Sequence, residues 1–330
     1  MESPIVFYYY FDVSDSDAFC SELERRFRES GHNRPIEFHS WNCYNDAPPE
    51  GGDIYCYDGL ALSGLVHDGY IRQLPDIIDT TKMFDWILDR SRIHNKIYGI
   101  PFLTCAAVLI CRDGEAKQIR NIYELPNSVA APMQSMINNY YAYALCNFQS
   151  RKEDLKKALL YFKNLLGEED YEKSRFSQYD GIERFNKGEV KYLLGFTEDL
   201  RNLKPARYKV QMVNFSDGEK DEMPLLPTDF ASIGKHVEGE KLLDCIDLLE
   251  MLSSSDFIYD ICTANGKLQY MLPTDRTLYP RLAELDPIYN DFYELVNDEN
   301  NGILRYGKEF FRDYLKLEEE LIKMLNAKEE

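Results

Sequence analysis

The stretch at residues 96–114, KIYGIPFLTCAAVLICRDG, is apolar over more residues than one strand usually spans. A run of this kind, opening on a Gly-Ile-Pro turn, implies a strand that leaves one compact body and enters another. Cys105 then falls at the crossover. Length agrees, because 330 residues are long for one hydrophobic core and short for three. Two lobes are the expectation.

Before the crossover, strands and helices alternate. IVFYYYF (5–11) reads as a buried strand, and DAFCSELERRFRESG carries Phe19, Leu23 and Phe27 at helical spacing until Gly31 stops it. IEFHSW (36–41) is a second strand, and DIYCYDG (53–59) a third that ends on an acid and a glycine. The helices GLALSGLVHDGY and, after Leu74-Pro75, TKMFDWILDRSRIHN follow. This alternation predicts βαβ units and a largely parallel sheet, with ligands at the carboxyl ends of the strands, where Asp58 stands. Beyond the crossover, residues 151–166 form an amphipathic helical pattern and YDGIERFNKGE a second. VKYLLGFTEDLRNL reads as a short buried strand capped by Thr197, with Glu198 and Asp199 in the first helical turn. PLLPTDFASIG is a Pro-punctuated strand suited to return the chain to the first lobe, and the remainder is mostly helical. The expected lobes are therefore 1–105 with 228–330, and 106–227.

Composition excludes several classes. A formal charge of −19 disfavours nucleic acid, whose phosphates are met by clustered Lys and Arg; the same field favours a cationic small molecule, or simply keeps the surface solvated. No apolar segment approaches the ~20 residues needed to cross a bilayer, so no membrane span is expected. The eight cysteines (20, 43, 56, 105, 111, 146, 245 and 262) form no Cys-x-x-Cys pair and have no histidine at ligand spacing. A zinc site is not expected, and a chain of this size does not need disulfides. MESPIVFYYYF has no basic segment followed by an apolar helix; as it stands it is not a secretory leader, which points to the cytoplasm if the start is native.

Six motifs, SWNCYNDAPPE, IYCYDG, KIYGIPFLTC, LLGFTEDL, PLLPTDFASI and LQYMLPTDRTLYPRL with DPIYNDFYELV, occur in one order along the chain. Together they resemble thiaminase I, thiamine pyridinylase, over nearly the whole length. The resemblance implies an α/β fold of the two-lobed type II periplasmic-binding-protein kind, with the ligand cleft between the lobes. It implies a transferase that splits thiamine at its methylene bridge and gives the pyrimidinylmethyl group to an amine or thiol; a monomer without metal or cofactor is the expectation. The motifs carry the nucleophile onto Cys105 and its activating base onto Glu198. They carry hydrogen-bonding partners of the aminopyrimidine onto Asp58 and Asp229, and the resemblance carries ring-holding tyrosines of the first strand, of WNCY and of SQYDG onto Tyr10 (with Tyr8 and Tyr9 as competitors), Tyr44 and Tyr179. Where the family has Tyr ahead of Ser-Glu, this chain has Phe196-Thr197-Glu198. Family members are commonly exported.

The residue types suit that chemistry. A free thiol has a pKa of ~8.5, so a positioned base is needed to raise the thiolate fraction at neutral pH. A carboxyl facing a ring nitrogen can share or give a proton as a thiolate adds to the ring. On pattern alone other readings stand beside these. Cys105 fits a small buried hydrophobe, Glu198 a first-turn acid, and Asp58 and Asp229 turn formers beside Gly59 and Pro227. Any one of 24 tyrosines fits core packing. A binding protein that returns thiamine intact and a cysteine hydrolase are the alternative functions; the hydrolase would need a histidine partner, and His32, His39, His67, His94 and His236 lie in no recognisable motif.

Overall fold

The computed structural model describes residues 3–10, 16–43, 46–76, 78–114, 119, 124–126, 128–130, 164, 181–212, 226–298 and 323. Their elements run β1 (Ile5–Tyr9), α1 (Ser16–Glu29), β2 (Ile36–Ser40), β3 (Ile54–Asp58), α2 (Leu62–His67), α3 (Asp85–Arg90), β4 (Arg92–Ile93), β5 (Lys96–Ile97), β6 (Ile100–Thr104) and β7 (Ala107–Arg112). They continue with β8 (Val129–Ala130), α4 (Gly181–Lys187), β9 (Tyr192–Phe196), β10 (Tyr208–Gln211), β11 (Thr228–Ile233), α5 (Gly239–Leu252), α6 (Ser255–Cys262), β12 (Leu272–Pro273), α7 (Leu278–Ala283) and α8 (Ile288–Asn297). The chain divides into two compact units, Met1–Thr104 with Pro227–Leu285, and Cys105–Leu226 with Asp286–Glu330.

The first unit is built on a sheet of order β12-β6-β11-β3-β1-β2. The interior strands β3 and β6 are buried at every residue, which explains why they are apolar on both faces until Asp58 and Thr104 end them. Strand β1 alternates, with Ile5 and Phe7 inward. Helix α1 buries Phe19, Leu23 and Phe27 at the expected spacing, carries Asp17 in its first turn and Arg26 and Arg28 in its last, and ends at Gly31 with φ of 100°. Its Phe19 meets Phe257 of α6 edge-on at 5.2 Å.

Two expectations are corrected. The sheet is mixed: β1 pairs in parallel with β2 and β3, but β11 runs antiparallel to both β3 and β6. β11 follows a long excursion, residues 105–226, and not a direct helical crossover of the kind that makes neighbouring strands parallel. The helix expected through Asn95 ends at Arg90. There Ser91 Oγ donates to the Leu88 carbonyl at 2.6 Å, and His94 and Asn95, with φ of 52° and 62°, form the two-residue turn of the β4–β5 ribbon.

In the second unit the sheet order is β10-β7-β9-β8, with β7 antiparallel to β9 and β10. The long apolar run is thus two strands, β6 in one sheet and β7 in the other, separated by Cys105 and Ala106. Residues 286–298 group with this unit, whereas the sequence reading set them with the first lobe. Helix α8 gives the reason: it packs along β10, where Lys209 Nζ meets Asp291 Oδ2 at 3.1 Å. The amphipathic pattern at 151–166 lies outside the described residues apart from Asn164.

Strand β9 ends in a tight cap. Phe196 N–H donates to Asp199 Oδ2 at 2.8 Å and starts the 3-10 turn Thr197–Asn202, so the cap position is Phe196 and not Thr197. The carboxylate occupies space that only a glycine leaves, since a Cβ on Gly195 would stand 2.5 Å from Asp199 Oδ2. Gly195→Ala is therefore expected to dislodge the cap and cost about 0.5–2 kcal/mol, read as the urea midpoint. Asp199→Ala should cost the same, and the double variant no more than either single one. Additive losses would mean that Gly195 serves something other than the cap.

Candidate active site

The expected site residues fall into two groupings, one in each unit. In the first unit Asp58 is the last residue of β3 and Asp229 the second of β11, and the two are directly paired across the antiparallel ladder. Side chains at such positions share a face of the sheet with Cβ atoms about 4.5–5.5 Å apart. Asp58 is 3% exposed and accepts the Leu60 N–H at 2.8 Å, which caps the short turn Gly59–Ala61. It is thus a turn former as well as a buried acid.

Asp229 is half-buried and stands at a bulge: against β6, Asp229 pairs with Leu103 but Phe230 pairs with Pro101. The irregularity accommodates a proline that has no N–H to give to the ladder, and it re-aims the residues beside it. Gly59 completes the packing, because a Cβ there would lie 2.6 Å from the Phe230 ring. Next to the pair, the Cys43 thiol is pushed well up, first by burial and then by the charges of Asp58 and Asp229. Cys43 is therefore a neutral thiol beside the two acids.

An aromatic cluster of Trp41, Cys43, Tyr55, Tyr57 and Phe230 lies here, with Tyr10 partly buried against it. Tyr10 N–H donates to the Cys56 carbonyl at 3.0 Å, which fixes its backbone beside β3. Ser232 Oγ donates to the Tyr98 carbonyl at 2.7 Å, so the 2.6 Å contact between Tyr57 and Ser232 has the phenol as donor. Burial raises the Tyr57 phenol far above its ordinary value, and it stays protonated. Tyr44 and Tyr179 lie outside the described residues.

The second grouping lies at the shared end of β7 and β9. Ala107 pairs with Phe196, and the ladder continues one step as Thr197 N–H donates to the Ala106 carbonyl at 3.1 Å. Cys105 is the residue before Ala106 and Glu198 the residue after Thr197, so each stands one residue beyond this last contact. Both are half-buried, whereas Cys43, Cys56, Cys111, Cys245 and Cys262 are buried. Among the described cysteines only Cys20 shares the partial exposure of Cys105, and burial pushes the Cys20 thiol up to about 12. Such a thiol does not ionise at neutral pH.

Glu198 is met by its own neighbour. Thr197, fully buried, donates its hydroxyl to Glu198 Oε2 at 3.0 Å. The sequence reading took Thr197 for a cap and missed this contact, although a hydroxyl residue beside a candidate base is a signal that sequence alone displays. Cys43, buried beside the paired acids, was likewise read only as part of a tyrosine motif.

If the paired acids serve a ligand, Asn at either position should weaken binding and turnover together. Each change removes a charge-assisted hydrogen bond of about 1.5–3 kcal/mol, a loss of roughly 10- to 150-fold. Asp58→Asn retains a side-chain oxygen for the Leu60 N–H, so the turn should persist and the melting temperature should hold. Unchanged kinetics in both variants would remove the pair from the site.

Among the described residues no set of three His, Cys, Asp or Glu side chains is gathered as metal ligands, and no helix is long and apolar enough to cross a membrane.

Two α/β units, each with its own sheet and connected along the chain at 104–105, 226–227 and 285–286, make up a two-lobed fold of the type II periplasmic-binding-protein kind. Within that class the relatives are thiaminases. No protein-family model matches the chain. Its sequence is 24% identical over 346 residues to the thiaminase-1 of Paenibacillus thiaminolyticus, covering 92% of this chain and 83% of that protein. The structure of Clostridium botulinum thiaminase I in complex with thiamin superposes with a TM-score of 0.82 at 19% identity, over 98% of this chain and 100% of that one. A eukaryotic thiaminase-I bound to the analogue 3-deazathiamin gives 0.70 at 15%, over 97% and 100%. The chain has the thiaminase I fold, and the resemblance carried by its ordered motifs is borne out over nearly its whole length.

Proposed function

We propose that the protein is a transferase that cleaves thiamine at its methylene bridge and passes the pyrimidinylmethyl group, through an adduct on Cys105, to an amine or thiol. What supports the chemistry is the end of the β7–β9 ladder, where a half-buried thiol and a half-buried carboxylate each stand one residue beyond the hydrogen-bonded Ala106 and Thr197. Glu198 takes the thiol proton, and the thiolate adds to a ring carbon of the aminopyrimidine. The electron pair gained by the ring expels the thiazolium from the methylene carbon as neutral thiazole. The acceptor then attacks that carbon and releases its proton to water. Cys105 departs as thiolate and recovers its proton from Glu198.

Asp58 and Asp229 face the ring nitrogens in this reading and hold a proton where negative charge develops. Tyr10 holds the ring by its face, with Tyr44 and Tyr179 assigned the same part by the motifs. No second subunit is required. An acidic chain also suits a cationic substrate, whose approach the net charge of −19 favours.

The test is incubation with thiamine and a panel of amines and thiols, followed by mass spectrometry. Free thiazole and a pyrimidinylmethyl-acceptor product are expected. Measurable thiamine affinity with thiamine returned intact from every mixture would make the protein a binder of thiamine instead.

A further inference from the structure

We infer that Thr197 is a positioning residue for Glu198, an inference that rests on the transferase reading above. Thr197 is fully buried, so its hydroxyl is removed from bulk water and must find a partner inside the protein. That partner is Glu198 Oε2 at 3.0 Å. The threonine is itself held firmly: its N–H is bound to the Ala106 carbonyl, and its β-branch restricts χ1. Cap duty, which would draw a first-turn carboxylate onto the backbone, falls to Asp199 through the Phe196 N–H.

A continuous tether therefore runs from the residue beside Cys105, through the backbone and hydroxyl of Thr197, to one oxygen of Glu198. Glutamate has several rotatable bonds and in a half-buried place populates more than one rotamer. Proton transfer needs the carboxylate within hydrogen-bond reach of the thiol, and loss of that geometry costs rate rather than affinity. The hydroxyl selects the rotamer.

Thr197→Val removes the hydroxyl and keeps the shape, and Thr197→Ser keeps the hydroxyl. The measurement is the single-turnover rate of adduct formation on Cys105 with thiamine alone, beside the thiamine Kd and the melting temperature. The valine variant is expected to slow roughly 10- to 10²-fold with Kd unchanged, and the serine variant to stay within about threefold of the parent. Should the valine variant not fold, Thr197→Ala is read in the same way. Adduct formation at the parent rate in the hydroxyl-free variant overturns the inference and leaves the transferase reading standing. Serine slowed as much as valine overturns it too, since packing and not the hydroxyl would then matter. A parent protein that forms no adduct overturns both.

Discussion

Thiamine supplied without an acceptor is expected to leave the pyrimidinylmethyl group on Cys105, one cysteine of eight, and Cys105→Ser should form no such adduct. The transfer has two halves, and the thiazole leaves before the acceptor enters, so the intermediate accumulates when the second half is starved. Peptide mapping locates it. A serine hydroxyl is far harder to ionise than a thiol, and turnover should fall by roughly 10⁴-fold or more while thiamine still binds. The exposure of the cysteines sharpens the expectation, because burial closes Cys43, Cys56, Cys111, Cys245 and Cys262 to a ligand. Among the described cysteines Cys20 remains as an internal control whose thiol is pushed up to about 12, and Cys146 lies outside the described residues. An adduct on Cys20, or full activity in the serine variant, would remove Cys105 from the mechanism.

The second large effect concerns the base. Glu198→Gln should slow adduct formation by roughly 10²–10⁴-fold, the span usual for a lost general base. The amide oxygen of glutamine can still accept the Thr197 hydroxyl, and the cap on Asp199 is untouched. Folding stability should therefore change little, and the loss should appear in the rate and not in the thiamine Kd. A parent-like rate in this variant assigns the base elsewhere. A large fall in melting temperature would show Glu198 acting in the structure rather than in proton transfer.

Much of the fold could be read from local chemistry. Phe19, Leu23 and Phe27 mark one face of α1, and the apolar run through Cys105 announced a chain passing between two bodies. Strand direction could not be read so. Nothing local in Thr228–Ile233 tells that its neighbours are β3 and β6, both reached antiparallel, because pairing over such separations is decided by the whole sheet. The end of α3 was missed for a narrower reason. The periodic apolar residues continue past Arg90, and the break rests on two residues, His94 and Asn95, whose positive φ no pattern of hydrophobicity reports.

The candidate residues divide in the same way. Asp58 was legible as an acid at a strand end, and its pairing with Asp229 became visible only through the β3–β11 register. Cys105 and Glu198 were carried by motif resemblance, and residue pattern alone left both open. The Thr197 contact depends on a buried hydroxyl in the first position of the 3-10 turn after β9, which residue pattern does not report.

The position of β11 also governs how the protein can be made. Thr104 and Thr228 are register partners in adjacent strands, yet 124 residues separate them along the chain. During synthesis β3 and β6 emerge without the strand that belongs between them. At ~5–20 residues per second the gap stays open for roughly 6–25 s. Through that interval two strands apolar on both faces wait with unpaired edges, which is when a nascent chain is most open to wrong partners or chaperones. A fragment ending at Thr104 should accordingly be insoluble, and a permuted chain that begins at β11 should recover faster from denaturant than the natural order.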